Sequence, residues 1–406
     1  MLINSINLRK RADVAIAHGS LTNSKRPDCF VKGVYPTHFT KGFNSTLVDV
    51  DNIQYLDFIC GLGTNLFGYG NPQIARAVSG AMHNGGSVFS FSSDLEVELA
   101  EKMKETFPFL DRVRFLKTGS EGCAAAVRIA RAYTGRQEVM AEGYHGWHDQ
   151  FICSTKPATG VVDHHMIWPL KDMYEEIICR GAAVIVEPVI TDMGPERVKF
   201  LQELRDDCTK YGTLLIFDET ITAYRFPEYS VAKHLNILPD LWVGGKAIGG
   251  GLPLSVVGGK KQIMECDYFV SSTWAGDRLA IAAGLEANKL VHEEYKPNDL
   301  WIYGTEFLER FNAISKSVQI EGYPSRGIFK YSDRRFQAMF MQEMCHAGIL
   351  IGPSWFYNKH LHREIKNILS IVKGVVQKIE RGMVRIEGSI PESPFAQKVR
   401  NDAEKS

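Results

Sequence analysis

The sequence predicts an α/β fold: a large domain around a mainly parallel sheet, and a smaller α+β domain built from both chain ends. Three observations carry this. Between about residues 111 and 290, short apolar runs alternate with stretches of helical spacing, the rhythm of strands joined by crossover helices. The segments on either side lose that alternation and mix short strands with helices. At 406 residues the chain is also too long for one core to grow efficiently, so more than one lobe is expected. The expected division is an N-terminal segment, 1–64, contributing to the small domain, a large domain over 65–295, and a C-terminal small domain over 296–406.

Along the chain, Cys29–Gly33 and Thr46–Asp51 read as short antiparallel strands, because apolar runs there are bounded by turn residues. The strands of the central sheet are expected at Val113–Leu116, Glu138–Ala141, Ala182–Val186, Leu214–Phe217, Leu241–Val243 and Leu254–Val257. Helices are expected between them, for example over Glu121–Tyr133 and Glu196–Tyr211. Phe336–Ile351 reads as an amphipathic element ended by Gly348 or Gly352. The polar stretch Pro391–Ser406 is expected to fray.

Composition narrows the function. Lys and Arg number 47, and so do Asp and Glu, giving a net charge of zero. Such a chain has no electrostatic pull toward nucleic acid or an anionic membrane. No apolar run is long enough to span a bilayer, and the first twenty residues have no apolar signal core. The eight cysteines are widely and irregularly spaced, which argues against a zinc ribbon or a disulfide framework and fits a reducing cytoplasm. His145 with His148, and the pair His164–His165, have no Cys or carboxylate at ligand spacing, so no metal site is expected.

In open α/β sheets, chemistry gathers at the carboxyl ends of strands. Three such places stand out. Leu116–Gly122 runs from a strand through Thr118-Gly119-Ser120 into a helix, offering free N–H groups and a hydroxyl to an anion. The plainer alternative is a helix N-cap. Leu214–Phe217 runs straight into Asp218 and Glu219, so a carboxylate ends a buried strand, where it needs a cation or hydrogen bonds. A helix cap or a structural ion pair would satisfy the same need. Lys246 follows the strand Leu241–Val243 and is bracketed by five glycines, Gly244, Gly245, Gly249, Gly250 and Gly251. A lysine in such a niche loses its proton more easily and attacks carbonyls, unless it simply snorkels from the loop. An anion cup, a buried carboxylate and an amine nucleophile together match pyridoxal phosphate.

With these motifs in hand, the chain resembles the class III pyridoxal-phosphate aminotransferases of fold type I, within the glutamate-1-semialdehyde 2,1-aminomutase-like group. The resemblance spans roughly residues 28–370. It is carried by Asp49-Val50-Asp51, Asp94–Glu101, Thr118–Glu121, Tyr144-His145-Gly146, Val186-Glu187-Pro188, Phe217-Asp218-Glu219, and Gly245-Lys246 with Gly249–Pro253. It implies that Lys246 forms the Schiff base with the cofactor and shuttles the proton, and that Asp218 pairs with the ring nitrogen. It also implies that Gly119 and Ser120 bind the phosphate, that Tyr144 stacks on the ring beside His145, and that Glu187 supports the network below. Thr220 would lie against the ring. Thr273 would reach the phosphate of a neighbouring subunit, which implies a homodimer with shared active sites.

The pattern departs from the family at Thr220 and Ala223, at Asp192, and at Gly276-Asp277-Arg278, where Gly-Asn-Pro is usual. The connection from Met264 to Thr273 is shorter than the gating segment of the aminomutases, and their N-terminal arginine segment is not recognisable. The favoured reading is therefore an aminotransferase that moves an amino group from a donor, L-glutamate, to a small or sugar-like carbonyl compound. The alternatives are an aminomutase acting within one molecule and a non-catalytic scaffold of the same fold. Arg225 is a candidate for a substrate carboxylate or for a structural ion pair.

Overall fold

The computed structural model describes residues 2–152, 160–161 and 166–392. In chain order the strands are β1 (Phe39–Phe43), β2 (Thr46–Asp49), β3 (Gln54–Asp57), β4 (Arg112–Leu116), β5 (Val139–Glu142), β6 (Ile167–Pro169) and β7 (Ala183–Val186). They continue with β8 (Leu214–Glu219), β9 (Leu241–Gly244), β10 (Ser255–Gly259), β11 (Val318–Tyr323), β12 (Arg326–Tyr331), β13 (Ile349–Leu350) and β14 (Ser354–Phe356). A seven-stranded sheet has the order β4-β10-β9-β8-β7-β5-β6. β10 runs antiparallel to both β4 and β9, and the remaining pairs are parallel. Reversing a single strand leaves β4 parallel to the rest, so the loops after β4, β5, β7, β8 and β9 all open on one edge.

The central strands are apolar on both faces because helices cover both. Ala183, Ile185, Leu214, Ile216 and Val243 pack with the helix Gly119–Thr134, while Val184, Val186, Leu215, Phe217 and Trp242 face the main core. Each such Val, Leu, Ile or Phe side chain, when fully buried, contributes about 1.5–3 kcal/mol. The expected strands and helices fall within a few residues of those observed. The edge strand β6 carries too short a pattern to be read in advance.

β1, β2 and β3 form an antiparallel sheet that β13 joins in parallel, through Ile349 to Leu56 and Leu350 to Asp57. The two chain ends thus share one sheet. Two expectations need correction. Cys29–Gly33 is not a strand: Pro27 opens a 3-10 turn over Pro27–Cys29, and Gly33 sits at φ +97°, leaving Cys29 and Val31 buried as turn residues. Nor does the C-terminal stretch fray at its start. The Pro391 carbonyl accepts from Arg334 at 3.0 Å, and the Glu392 N–H donates to the Asp28 carbonyl at 2.7 Å. Residues 393–406 lie outside those described, as do Cys153 and the pair His164–His165. The seven described cysteines are free thiols. No described helix is long and apolar enough to cross a membrane.

Candidate active site

Thr118 sits at the turn out of β4, and its hydroxyl accepts the Glu121 N–H at 3.2 Å while the Glu121 carboxylate accepts the Thr118 N–H at 3.3 Å and that of Lys117 at 2.7 Å. This reciprocal cap settles which residue closes the helix Gly119–Thr134. Capping falls to Thr118 and Glu121, so the N–H groups of Gly119 and Ser120 stay available at the positive end of a helix sixteen residues long. The space around them admits no extra carbon. A Cβ on Gly119 would meet Thr220 Cγ2 at 2.7 Å, and one on Gly146, at φ +107°, would fall on the Ser120 hydroxyl.

β8 delivers two carboxylates with different fates. Glu219, wholly buried, accepts N–H groups of Val231 at 2.7 Å and Ala232 at 2.9 Å and the Thr222 hydroxyl at 2.8 Å. It is the structural cap. Asp218 faces the site edge instead. Its Oδ2 accepts from His145 Nδ1 at 2.9 Å and from the Cys123 thiol at 3.2 Å, and its Oδ1 accepts the Thr220 N–H at 3.0 Å and hydroxyl at 2.6 Å. Burial alone pushes the Asp218 carboxyl up, but the hydrogen bonds from His145 and Thr220 outweigh it and leave the group below the ordinary carboxylate range. The second ring nitrogen of His145 faces the Glu142 carbonyl at 3.2 Å. Thr220 thus directs its hydroxyl proton to Asp218.

Cys123, His145 and Asp218 bring donor atoms within 4.8 Å of one another. The cluster was invisible in the sequence, since Cys123 lies on the helix Gly119–Thr134 and His145 in the loop after β5. Its atoms are already joined by hydrogen bonds to the shared Oδ2, which accounts for their closeness without an ion. Glu187, after β7, is buried and accepts the Tyr144 N–H at 2.8 Å; desolvation and the nearby Asp218 charge push its carboxyl up. Tyr144 itself is half exposed at the site mouth. Lys246 follows β9 with φ +48°, a left-handed conformation rare outside glycine and typical of functional sites. Desolvation lowers its amine from 10.5 to about 8, against the opposing pull of Asp218 and Glu187.

Cup, carboxylate and amine therefore meet on one edge, after β4, β8 and β9. The family described as aminotransferase class-III matches residues 31–166 and 161–356 of this chain. The chain belongs to that family. Its cofactor is accordingly pyridoxal phosphate, and the geometry fits the group: an anion cup closed by Thr118, a carboxylate held ionised in the interior, and a lysine with a weakened hold on its proton. Among curated relatives, glutamate-1-semialdehyde 2,1-aminomutase of Methylacidiphilum infernorum is 30% identical, over 86% of this chain and 92% of its own. An omega-transaminase from Sphaerobacter thermophilus superposes with a TM-score of 0.82 at 23% identity, covering 93% of this chain and 98% of that one. A glutamate-1-semialdehyde-aminomutase from Pseudomonas aeruginosa PAO1 gives 0.80 at 18%, covering 93% and 94%.

Thr273 lies apart from this cluster. It is exposed and lines a surface pocket with Phe89, Phe91, Ser93 and Glu96. The departure at Gly276-Asp277-Arg278 has a visible use. Asp277 accepts from Lys117 at 2.6 Å and from Ser87 at 2.7 Å, and caps the helix Arg278–Glu293; Arg278 stacks on Phe89 at 4.3 Å. The Thr273 segment is thus clamped to the residue preceding the anion cup. Burial raises the Asp277 carboxyl, but Lys117 and Ser87 overcome this and hold it below its ordinary value. A depressed carboxyl contributes stability above its unfolded pKa and loses it as the pH falls through the folded one. Asp277→Asn should therefore cost about 1–2 kcal/mol near neutrality. In urea titrations the gap to the parent should close as the pH drops through the carboxylate range.

Trp147 and Trp274 are exposed, whereas Trp355 is wholly buried in the core. Arg225 is fully buried and makes no ion pair with a carboxylate among the described residues. One Nη donates to the Gly63 carbonyl at 2.7 Å, and the guanidinium lies over the Phe356 ring at 5.3 Å.

Proposed function

We propose that this enzyme transfers an amino group from L-glutamate to a small or sugar-like carbonyl compound. The observation that carries the reading is the pairing of an ionised, buried Asp218 with a Lys246 amine brought down to about 8, across from the cup at Gly119 and Ser120. When bound, pyridoxal phosphate supplies an aldehyde that captures the amino group and a sink for the electrons left when the donor Cα loses its proton. The protein residues divide the remaining work. Gly119 and Ser120 hold the phosphate by N–H groups and a hydroxyl. Asp218, fixed by His145, Thr220 and Cys123, presents negative charge to the ring nitrogen. Tyr144 would cover the ring face, and Glu187 anchors the Tyr144 backbone by accepting its N–H. Lys246 Nζ would take the proton from the donor Cα and hand it back during transfer. At pH 7 an amine with this affinity is neutral in about one molecule in ten, enough to serve as a base.

Support for transfer between two molecules comes from the stretch between Met264 and Thr273, which is shorter than the gating segment of the aminomutases. The exposed segment carrying Thr273, flanked by Phe89, Phe91 and Trp274, suits a homodimer in which Thr273 of one copy completes the cup of the other. The curated aminomutase relatives favour the second reading, an exchange of amino and carbonyl groups within one molecule.

Absorption spectroscopy separates the two. With L-glutamate, the visible band of the holoenzyme should move to the near ultraviolet, with one equivalent of oxo acid released. An acceptor should then restore the visible band. Turnover of glutamate 1-semialdehyde with no oxo acid formed would instead establish the aminomutase. A protein that forms no visible band with pyridoxal phosphate would be a scaffold.

A further inference from the structure

The Thr220 side chain touches three parts of the site at once. It follows directly on β8, two residues past Asp218, and is half-buried. Its hydroxyl donates to Asp218 Oδ1 at 2.6 Å, and its N–H reaches the same oxygen at 3.0 Å. Its methyl group lies between the anion cup and the lysine turn. A Cβ on Gly119 would stand 2.7 Å from Thr220 Cγ2, and one on Gly245, the residue before Lys246, would stand 3.1 Å from the same atom. Glycine at both places lets the two backbones close on this one methyl group.

The two oxygens of Asp218 are held differently. Oδ2 accepts from His145 Nδ1 at 2.9 Å and from the Cys123 thiol at 3.2 Å, and Cys123 belongs to the helix whose first turn makes the cup. Among the described residues, Oδ1 accepts from Thr220 alone. The orientation of the carboxylate plane therefore depends on this residue. Threonine is branched at Cβ, so its methyl and hydroxyl turn together about one stiff torsion. With the methyl wedged against Gly119 and Gly245, the hydroxyl leaves Asp218 only if the wedge moves too. Serine would supply the hydroxyl without the wedge, and valine the wedge without the hydroxyl.

We propose that Thr220 is a positioning residue for amino transfer, aiming the Asp218 carboxylate through its hydroxyl and spacing the anion cup from Lys246 through its methyl group. Its rate measurement rests on the glutamate reading above; its other two measurements need only the cofactor. Thr220 does no chemistry on the substrate. It fixes where three other groups act, and such sites lose rate when their parts drift by a fraction of an ångström.

Thr220→Val and Thr220→Ser, each as holoenzyme, separate the two arms. A visible band in each variant shows that it folds and loads cofactor. Thr220→Val should slow the glutamate half-reaction about tenfold or more, with glutamate affinity within about twofold of the parent, because a hydrogen bond to a charged group is lost. It should also displace the pH midpoint of the visible band, while loss of cofactor on extended dialysis stays within about twofold of the parent. Thr220→Ser should keep the half-reaction rate within about threefold and the midpoint near the parent, yet release cofactor about tenfold faster. A valine variant with parental rate and midpoint removes the aiming role, and a serine variant that holds cofactor as the parent does removes the spacing role. Either result overturns the proposal, as do two variants that change both readouts alike. Should glutamate fail to bleach the parent while midpoint and cofactor release still divide the variants in this way, the glutamate reading fails and the positioning role stands.

Discussion

Lys246→Ala is expected to abolish covalent attachment of pyridoxal phosphate and to reduce amino transfer by at least about a thousandfold, since it removes both nucleophile and proton carrier. The fold should survive, because the backbone at this position already holds a left-handed conformation framed by Gly245 and Gly250. The measurement is the visible spectrum of the variant after incubation with cofactor, read beside its melting temperature. A variant that still transfers amino groups near the parent rate would remove Lys246 from the chemistry. The same residue predicts a pH profile. Attachment to the apoenzyme requires the neutral amine, so its rate should climb about tenfold per pH unit below about 8 and level above it. An amine in water would keep gaining reactivity to about 10.5.

Asp218→Asn should lower the rate of the glutamate half-reaction by about 100- to 1,000-fold while leaving glutamate affinity within a few-fold. Asparagine keeps the shape and can accept from the Thr220 hydroxyl, but it cannot offer charge to His145, Cys123 and the ring nitrogen together. Some loss of stability accompanies this, because buried donors built around an anion lose it; removing one member of such a network costs about 3–5 kcal/mol. Stopped-flow absorbance under single-turnover conditions separates the effects. An unchanged rate with weaker glutamate binding would make Asp218 a binding group only.

Most of the sheet was legible because its strands are buried on both faces and so stand out as unbroken apolar runs, as in Leu214–Phe217. β6, three residues long and at the sheet edge, has no such signature. Cys29–Gly33 misled for the converse reason: an apolar run buried as a turn looks like one buried as a strand. At the site, Lys246, Asp218 and Gly119-Ser120 were readable because strand ends and glycine density flag them locally. Cys123 was not, since a cysteine on a helix acquires meaning only when β8 places a carboxylate 3.2 Å away. Arg225 could be seen but not assigned: its missing ion pair is a fact of three dimensions. Asp277 appeared as a deviation from a pattern, and only its contacts with Lys117 and Ser87 give the deviation a use.

The reversed strand β10 has a consequence for how the enzyme is made. β4, which leads into Gly119 and Ser120, takes its only sheet partner among the described residues from β10, through pairs such as Leu116 with Ser255. These residues lie roughly 140 positions apart in the chain. At about 5–20 residues per second, a ribosome delivers the second about 7–30 s after the first. Throughout that interval β4 is an unmated strand, open to pairing with another nascent chain. On the proposed assignment of cup and lysine, capture of the cofactor would follow its closure. Cofactor supplied during synthesis would then bind near the end of folding and act as a latch on it, drawing product from the pool of open chains.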